Sequence, residues 1–354
     1  PISAVYARLA ASRLRVRRRP DLATPTYSRP YCIVGAGPAG LVTARALVKE
    51  GVPFDWFERH TAIGGLWDMA NPGSPMYDSA HFISSKYTSG FIGYPMPSDY
   101  PDYPSWRQIR DYIRNFATAF GLEQRVTLGT AVRTAVQDGN GWLVTLDSGE
   151  QHHYAGVIVC TGTNWYPRRI DIPGADTFAG TVMHSVEFRS GAEFDGKRVL
   201  VIGAGNSGVD IACDAARHAD AAFLSVRRGY RFVPKHIFGL PTDAVLSGAV
   251  PPPRGVSLAG DANHLVDTLV GDLTRLGLPA PDHDVLSSHP IMNTQVLHFL
   301  AHGDIVAKPD VERLDGDDVV FVDGSREQCD LVVLRSEEHT SELQSHSFIS
   351  YAVF

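Results

Sequence analysis

The chain has 354 residues, 44% of them hydrophobic and 20% charged, with a formal net charge of −7. That composition excludes a disordered, collagen-like or disulfide-scaffold protein, and no window approaches the roughly 18 unbroken apolar residues of a membrane-spanning helix. The acidic balance argues against nucleic acid as a partner, and at about 150 residues per domain the length suits two domains.

In chain order, residues 1–28 stand apart. The stretch holds six Arg (Arg8, Arg13, Arg15, Arg17, Arg18, Arg19) against one acid, Asp21. Ile2, Val5, Tyr6 and Leu9 have helical spacing, a pattern that organellar leaders share. The segment reads best as a disordered or artefactual leader without function. The ordered pattern begins with a short apolar run, Tyr31 to Val34, followed by Gly35-Ala36-Gly37-Pro38-Ala39-Gly40. Leu41, Ala44, Leu47 and Val48 then recur as one helix face, Gly51 stops the helix, and Phe54 to Phe57 forms a second strand ending at Glu58.

A Pro- and Tyr-rich loop spans about 71–104, a helix is predicted from Ser105 to Phe120, and 125–160 is hairpin material in which Trp142, Val144 and Leu146 alternate with polar residues. The strand–glycine–helix–strand unit then repeats. Val199 to Ile202 leads into Gly203-Ala204-Gly205-Asn206-Ser207-Gly208, a helix to about His218 and a strand from Ala222 to Val226. Residues 241–260 form a Pro/Gly-rich loop. Leu265, Val266, Leu269, Val270, Leu273 and Leu276 predict one further helix with an apolar core face. Residues 329–334 have the pattern of a buried strand, and strands alternating with helices imply parallel α/β sheets.

The four cysteines, Cys32, Cys160, Cys213 and Cys329, have no close spacing. No CxxC pair exists, so dithiol chemistry is excluded and the thiols read as small buried hydrophobes of a reducing compartment. No metal is expected.

A single GxGxxG is a weak signal, but Gly35-x-Gly37-x-x-Gly40 has a strand before it, a helix after it and an acid, Glu58, about twenty residues on. The first glycine permits the tight turn, the second lets backbone approach a pyrophosphate, and the third lets helix and strand pack closely. Glu58 can accept hydrogen bonds from a ribose. The second turn differs at the decisive place, since its second strand is followed by Arg227-Arg228. Planar charged donors there suit a 2′-phosphate. Two dinucleotide sites in one chain suggest hydride transfer from NADPH to a bound flavin.

Further residues carry a resemblance. Phe178-Ala-Gly180-Thr-Val-Met-His184-Ser-Val-Glu-Phe188 is similar to the FxGxxxHxxx(Y/F) signature of flavin-containing monooxygenases. Gly64-Gly65-Leu66-Trp67, Tyr94-Pro95-Met96-Pro97, Cys160-Thr161-Gly162 and Arg227-Arg228-Gly229 fit the same family, so the resemblance covers about 30–334. It implies a fold of two Rossmann-like domains, with the NADPH domain inserted into the FAD domain. The boundaries expected are 29–165 for the first part of the FAD domain, 166–290 for the NADPH domain and 291–334 for an incomplete return to the FAD domain.

FAD would bind through Gly35, Gly37, Pro38, Ala39, Gly40, Glu58, Arg59, Gly65, Leu66, Trp67, Thr161 and Gly162. NADPH would bind through Gly203, Gly205, Asn206, Ser207, Gly208, Ser225, Arg227 and Arg228. The implied reaction passes one oxygen atom from O₂, through a flavin hydroperoxide, to a small soft nucleophile such as an amine or sulfide. His184 is expected to support the link between domains, with general-base work as its alternative. The implied setting is the cytoplasm, and a homodimer is carried as an option.

Three features bear on function. Many family members carry a Thr-Asn pair near the oxygen-reacting face of the flavin, whereas this chain reads His81-Phe-Ile-Ser84-Ser85-Lys86. Ser84 or Ser85 is the candidate donor in its place, and a shorter donor favours release of H₂O₂, an NADPH oxidase activity. Phe188 stands where Baeyer–Villiger enzymes of this family end the signature in Trp, which tilts the reading toward N- or S-oxygenation and keeps ketone oxygenation as an alternative. Arg335 to Ser345, RSEEHTSELQS, resembles a translated sequencing-library adapter. Residues 335–354 are therefore read as a non-native tail, and a non-catalytic nucleotide-binding fragment is the alternative from another class. A pyridine-nucleotide-disulfide reductase relative would share both turns, but the missing cysteine pair speaks against it.

Overall fold

The computed structural model describes residues 29–165, 167, 170–255, 262–285, 287, 288 and 290–335. The Arg-rich leader and all but the first residue of the adapter-like tail lie outside the described residues. The chain forms two compact units, each an α/β fold of the kind expected.

In the first unit, β1 (Tyr31–Val34) runs into α1 (Pro38–Glu50) and returns as β2 (Phe54–Phe57). Proline at the first helical position has no N–H to lose there, and Gly51 in the left-handed region (φ 66°) ends the helix. Leu41 and Ala44 bury its inner face. After a long irregular stretch, α2 (Trp106–Ala119) begins with a capping box in which Ser105 and Gln108 satisfy each other's backbone N–H. Its buried residues Trp106, Ile109, Tyr112, Ile113, Phe116 and Ala117 follow helical periodicity. The hairpin material is a meander of β3 (Val132–Asp138), β4 (Gly141–Leu146) and β5 (Gln151–Tyr154), and β6 (Gly156–Val159) then joins the parallel sheet in the order β2-β1-β6. Cys32, Phe57, Val144, Leu146 and Tyr154 form the core where sheet and meander meet.

The second unit contains β7 (Thr181–His184), β8 (Arg198–Ile202), α3 (Asn206–His218) and β9 (Ala221–Ser225). A small hairpin, β10 (His236–Ile237) with β11 (Leu240–Pro241), precedes a short helix α4 (Thr242–Ser247). Then come α5 (Ala262–Val270), α6 (Gln295–His302), β12 (Ile305–Lys308), a meander of β13 (Val311–Asp315), β14 (Asp318–Phe321) and β15 (Arg326–Gln328), and β16 (Leu331–Leu334). The main sheet is parallel throughout, in the order β12-β9-β8-β16-β7. Among the described residues no helix is long and apolar enough to cross a membrane.

Four expectations are corrected. Residues 291–334 do not return to the first unit: β12 pairs with β9, and β16 lies between β8 and β7 with Leu331 opposite Val199 and Thr181. All four residues of β16 are buried, and such a strand needs a neighbour on each edge and cover on each face. Second, 29–165 is not one contiguous piece, because residues 75–88 cluster with the second unit. Third, the predicted helix through Leu276 breaks at Gly271 (φ 74°), after which Asp272 caps a separate 3-10 turn, Leu273–Leu276. Leu269 is exposed, so the apolar spacing overstates the buried face. Fourth, the loop expected over 241–260 contains α4.

Candidate functional site

The two glycine turns are built alike, and both leave a helix N-terminus open. In the first, Gly35 adopts φ +104°, and a Cβ there would lie 2.4 Å from the Cys160 carbonyl oxygen. A Cβ on Gly40 would lie 2.0 Å from the Gly35 oxygen, so helix and strand approach backbone to backbone. Gly37 is the N-cap of α1, no side chain caps the helix, and its first turn holds no acid. The same holds for Gly205 and α3. The first N–H groups of a helix have no partner within it; α2 closes its own with a capping box, whereas α6, like α1 and α3, has neither a side-chain cap nor an acid in its first turn. Two uncapped, acid-free N-termini behind glycine turns are suited to phosphate.

Around the first turn, Gly65 (φ +60°) leaves no room for a Cβ, which would stand 2.8 Å from the Gly37 Cα. The Gly65–Trp67 turn therefore lies directly against the open helix end, with Leu66 and Trp67 half-buried. Asn71 Nδ2 donates to the Gly65 oxygen (2.8 Å) and Ser74 Oγ to the Leu66 oxygen (2.6 Å), which hold it there. Pro38 and Ala39 form the first helical positions, half-buried. Glu58 is buried at the end of β2, and its carboxylate accepts the Ala36 N–H at 2.5 Å and the His60 N–H at 2.9 Å. Thr161 and Gly162 are exposed just after β6, and Arg59 is exposed just after Glu58. Trp165, which the sequence pattern did not single out, packs against this rim, 4.4 Å from the Arg59 guanidinium and 5.0 Å from the His60 ring. Burial holds the His60 imidazole below its ordinary pKa.

At the second turn Gly203 has φ +100°, and Gly208 leaves 2.0 Å between a would-be Cβ and the Gly203 oxygen. The position that Cys160 fills beside Gly35 is filled beside Gly203 by Arg335, whose carbonyl oxygen would stand 2.6 Å from a Cβ there. Arg227 and Arg228 are exposed beyond β9. The Arg228 guanidinium lies 5.2 Å over the Tyr230 ring and reaches Ser288 Oγ at 3.3 Å. Ser207 is half-buried at the start of α3. Two expected contacts are used otherwise. Ser225 is 1% exposed and its hydroxyl donates to the Pro309 oxygen at 2.7 Å, so it ties β9 to the turn after β12 rather than facing a dinucleotide. The Asn206 side chain holds the loop at 290–292, leaving only its backbone at the turn.

The expected catalytic residues also have structural partners. Ser85 is fully buried, and both its N–H (2.7 Å) and its hydroxyl (3.0 Å) donate to Asp243 Oδ2. A serine hydroxyl has one proton to give, so Ser85 is corrected from oxygen-side donor to an anchor for its segment. Ser84, half-buried, stays as the candidate. His184 ends β7 with Nδ1 accepting the Val186 N–H at 3.2 Å. Gly180 has no room for a side chain beside Asp330, and Phe188 is fully buried, stacked on Phe194 at 4.9 Å and tilted against Tyr77 at 5.6 Å. The signature therefore acts as packing at Gly180 and Phe188.

Sequence reasoning missed a polar cluster beside the second turn. Asp210 accepts the Tyr77 hydroxyl at 2.9 Å and Asn293 Nδ2 at 2.5 Å. Close packing raises the Asp210 and Tyr77 pKa values and lowers that of Lys235, against the mutual attraction of Asp210 and Lys235. The steps from Asn206 to Asp210 and Asp214, polar residues every fourth position in an apolar helix, were the available signal.

Residues 29–340 match the FMO-like family, described as flavin-binding monooxygenase-like. The chain is similar to indole-3-pyruvate monooxygenase YUCCA1 of Oryza sativa subsp. japonica, 33% identical over 313 residues that cover 85% of this chain and 75% of that protein. It is also similar to flavin-containing monooxygenase 5 of Rattus norvegicus, 33% identical over 324 residues, covering 85% of this chain but only 60% of that longer protein. Among solved structures, S-allyl-L-cysteine S-oxygenase from Allium sativum aligns with a TM-score of 0.60 at 24% identity, over 88% of this chain and 62% of that one. An open structure of cyclohexanone monooxygenase aligns at 0.68 and 19% identity, over 92% and 76%. These two likenesses are of fold.

Proposed function

The chain belongs to the flavin-binding monooxygenase-like family, and from that premise we propose that it uses NADPH and O₂ to oxygenate a small nucleophilic substrate, an amine or a sulfide. One oxygen atom goes to the substrate and the other leaves as water, with NADPH supplying the two electrons. The observation that carries this reading is the contrast between two like turns. The first ends in the buried carboxylate of Glu58, suited to a free ribose, and the second in the exposed pair Arg227 and Arg228, suited to a 2′-phosphate.

The residues fit the two cofactors. Gly37, Ala39, Gly40 and the Gly65–Trp67 turn surround the open end of α1, where the pyrophosphate of FAD would lie, and Glu58 would accept from its ribose. Gly205, Ser207 and Gly208 offer the open end of α3 to NADPH, with Arg227 and Arg228 on the 2′-phosphate. When bound, the flavin would supply the redox chemistry of hydride acceptance and O₂ activation. This chain's own residues bind, orient and exclude water. Ser84 is the candidate hydrogen-bond donor at the oxygen-reacting side.

A specific observation favours a second outcome. The Ser85 hydroxyl is given to Asp243, which removes one of two candidate donors. Weak stabilisation there favours H₂O₂ release, so oxidase activity accompanies or replaces oxygenation. The purified protein tests these readings. Yellow protein bleached by NADPH, with O₂ uptake stimulated by an amine or sulfide and little H₂O₂, supports the monooxygenase. NADPH consumption matched by H₂O₂ selects the oxidase. A colourless protein that still binds NADP⁺ overturns both and leaves a nucleotide-binding fragment.

A further inference from the structure

Helix α3 carries a polar stripe on an otherwise apolar body. Asn206, Asp210, Asp214 and Arg217 follow one another at steps of four, four and three and share one face. Each holds a segment remote in sequence. Asn206 Nδ2 donates to the Pro290 oxygen at 3.1 Å and its Oδ1 accepts the Met292 N–H at 2.8 Å. Asp210 takes Asn293 at Oδ1 and Tyr77 at Oδ2, and the Tyr77 hydroxyl also meets the Ser207 side chain in the turn itself. Asp214 pairs with Arg217 at 2.9 Å and accepts Ser79 Oγ, and Arg217 reaches Gln295 Oε1 at 2.7 Å. The stripe thus fastens residues 77–79 and 290–295 along the helix whose N-terminus is the second glycine turn. Asp210 accepts directly from both.

We propose that Asp210 is a positioning residue that couples occupancy of the second glycine turn to the order of residues 75–88, through the Tyr77 hydroxyl. The inference rests on reading that turn as the NADPH site. A closely packed carboxylate that loses one of two donors is costly, so Tyr77 and Asn293 dock together or release together. Asn206, the first residue of α3, already ties the loop at 290–292 to the turn itself. A dinucleotide that orders the turn therefore favours the docked arrangement, and its binding energy is shared with 75–88 by linkage. The same segment has a second anchor off the stripe, where Ser85 and Thr88 donate to Asp243.

Hydrogen exchange on the full chain with and without NADP⁺ tests the coupling. In the wild type NADP⁺ should slow exchange at 203–210 and at 75–88 together. Tyr77→Phe removes one oxygen and leaves the ring packed on Phe188. It should leave 203–210 protected by NADP⁺, weakened only near Ser207, and cut the NADP⁺-induced protection at 75–88 by about fivefold or more. Thr88→Val, at the other anchor, should raise basal exchange near 88 and retain the NADP⁺-induced difference, which separates coupling from plain structural support. Protection at 203–210 without protection at 75–88, or an undiminished difference in Tyr77→Phe, overturns the inference alone. Protection of neither region overturns the NADPH reading and the inference with it.

Discussion

The carboxylate of Glu58 accepts the backbone N–H of Ala36, 22 residues before it, and so joins the end of β2 to the middle of the first glycine turn. A carboxylate has room for further donors on the same oxygens, so holding the turn and accepting from a ribose are compatible tasks. Glu58→Ala leaves the buried Ala36 N–H without its acceptor, at a cost of about 1–3 kcal/mol. The flavin-to-protein absorbance ratio after gel filtration should fall about tenfold, since it loses both the ribose acceptor and the turn's anchor. Glu58→Gln keeps an acceptor and should lie between. Full flavin content in Glu58→Ala would limit the residue to a structural part.

Gly40→Ala and Gly208→Ala place a Cβ in the same position relative to Gly35 and Gly203, 2.0 Å from a carbonyl oxygen in each case. Neither glycine has a positive φ, so the cost is collision with backbone rather than strain. The helix must move off its strand, and overpacking of this kind costs about 1–3 kcal/mol. The two variants should lose different ligands. Gly40→Ala should be colourless yet bind NADP⁺, and Gly208→Ala should stay yellow and fail to bleach with NADPH.

Both turns were legible in the sequence because everything that makes them is local: an apolar strand, glycines at fixed steps, a helical period and a following acid or arginine. The roles of Ser85 and Ser225 were not, because their partners Asp243 and Pro309 lie 158 and 84 residues away. The sheet that receives β16 was equally hidden. Leu331 to Leu334 is uniformly apolar, and a buried parallel strand of that kind carries no mark of which neighbours it takes. Gly271 and Asp272 did announce the break after α5, but the leucine and valine spacing runs on through them.

The thiols should be inert in the native protein. Burial pushes Cys32, Cys213 and Cys329 up to about 12 from an ordinary 9.0, and Cys160 is raised by burial with a small opposing effect of its Thr43 contact. At pH 8 the thiolate fraction of the first three is about 10⁻⁴. Ellman's reagent should find four reactive thiols in denaturant and almost none natively. The folded-state values lie above the unfolded ones, so this contribution to stability is complete below about pH 9. It is then lost as pH rises toward 12, where the unfolded chain ionises first. Chemical denaturation midpoints should fall over that window, and less steeply in Cys213→Ala.

Cofactor choice should rest on Arg227. Its neighbour Arg228 lies over the Tyr230 ring and reaches Ser288 Oγ. Both are exposed beyond β9; aligned on the strand register, Val226 takes the place of Glu58, and Arg227 and Arg228 those of Arg59 and His60. A phosphate held by a guanidinium fork gains charge-assisted bonds worth about 1.5–3 kcal/mol, and NADH has no group there to gain them. Arg227→Ala should therefore raise KM for NADPH by about 10- to 100-fold and change that for NADH less than about twofold. Arg227→Lys should recover part of the loss, because an ammonium keeps the charge but not the planar fork. Flavin reduction under anaerobic conditions isolates this step from oxygen chemistry. An unchanged NADPH-to-NADH ratio in Arg227→Ala would remove the 2′-phosphate from this residue. A parallel fall for both nucleotides would instead make it a support for the loop that ends β9.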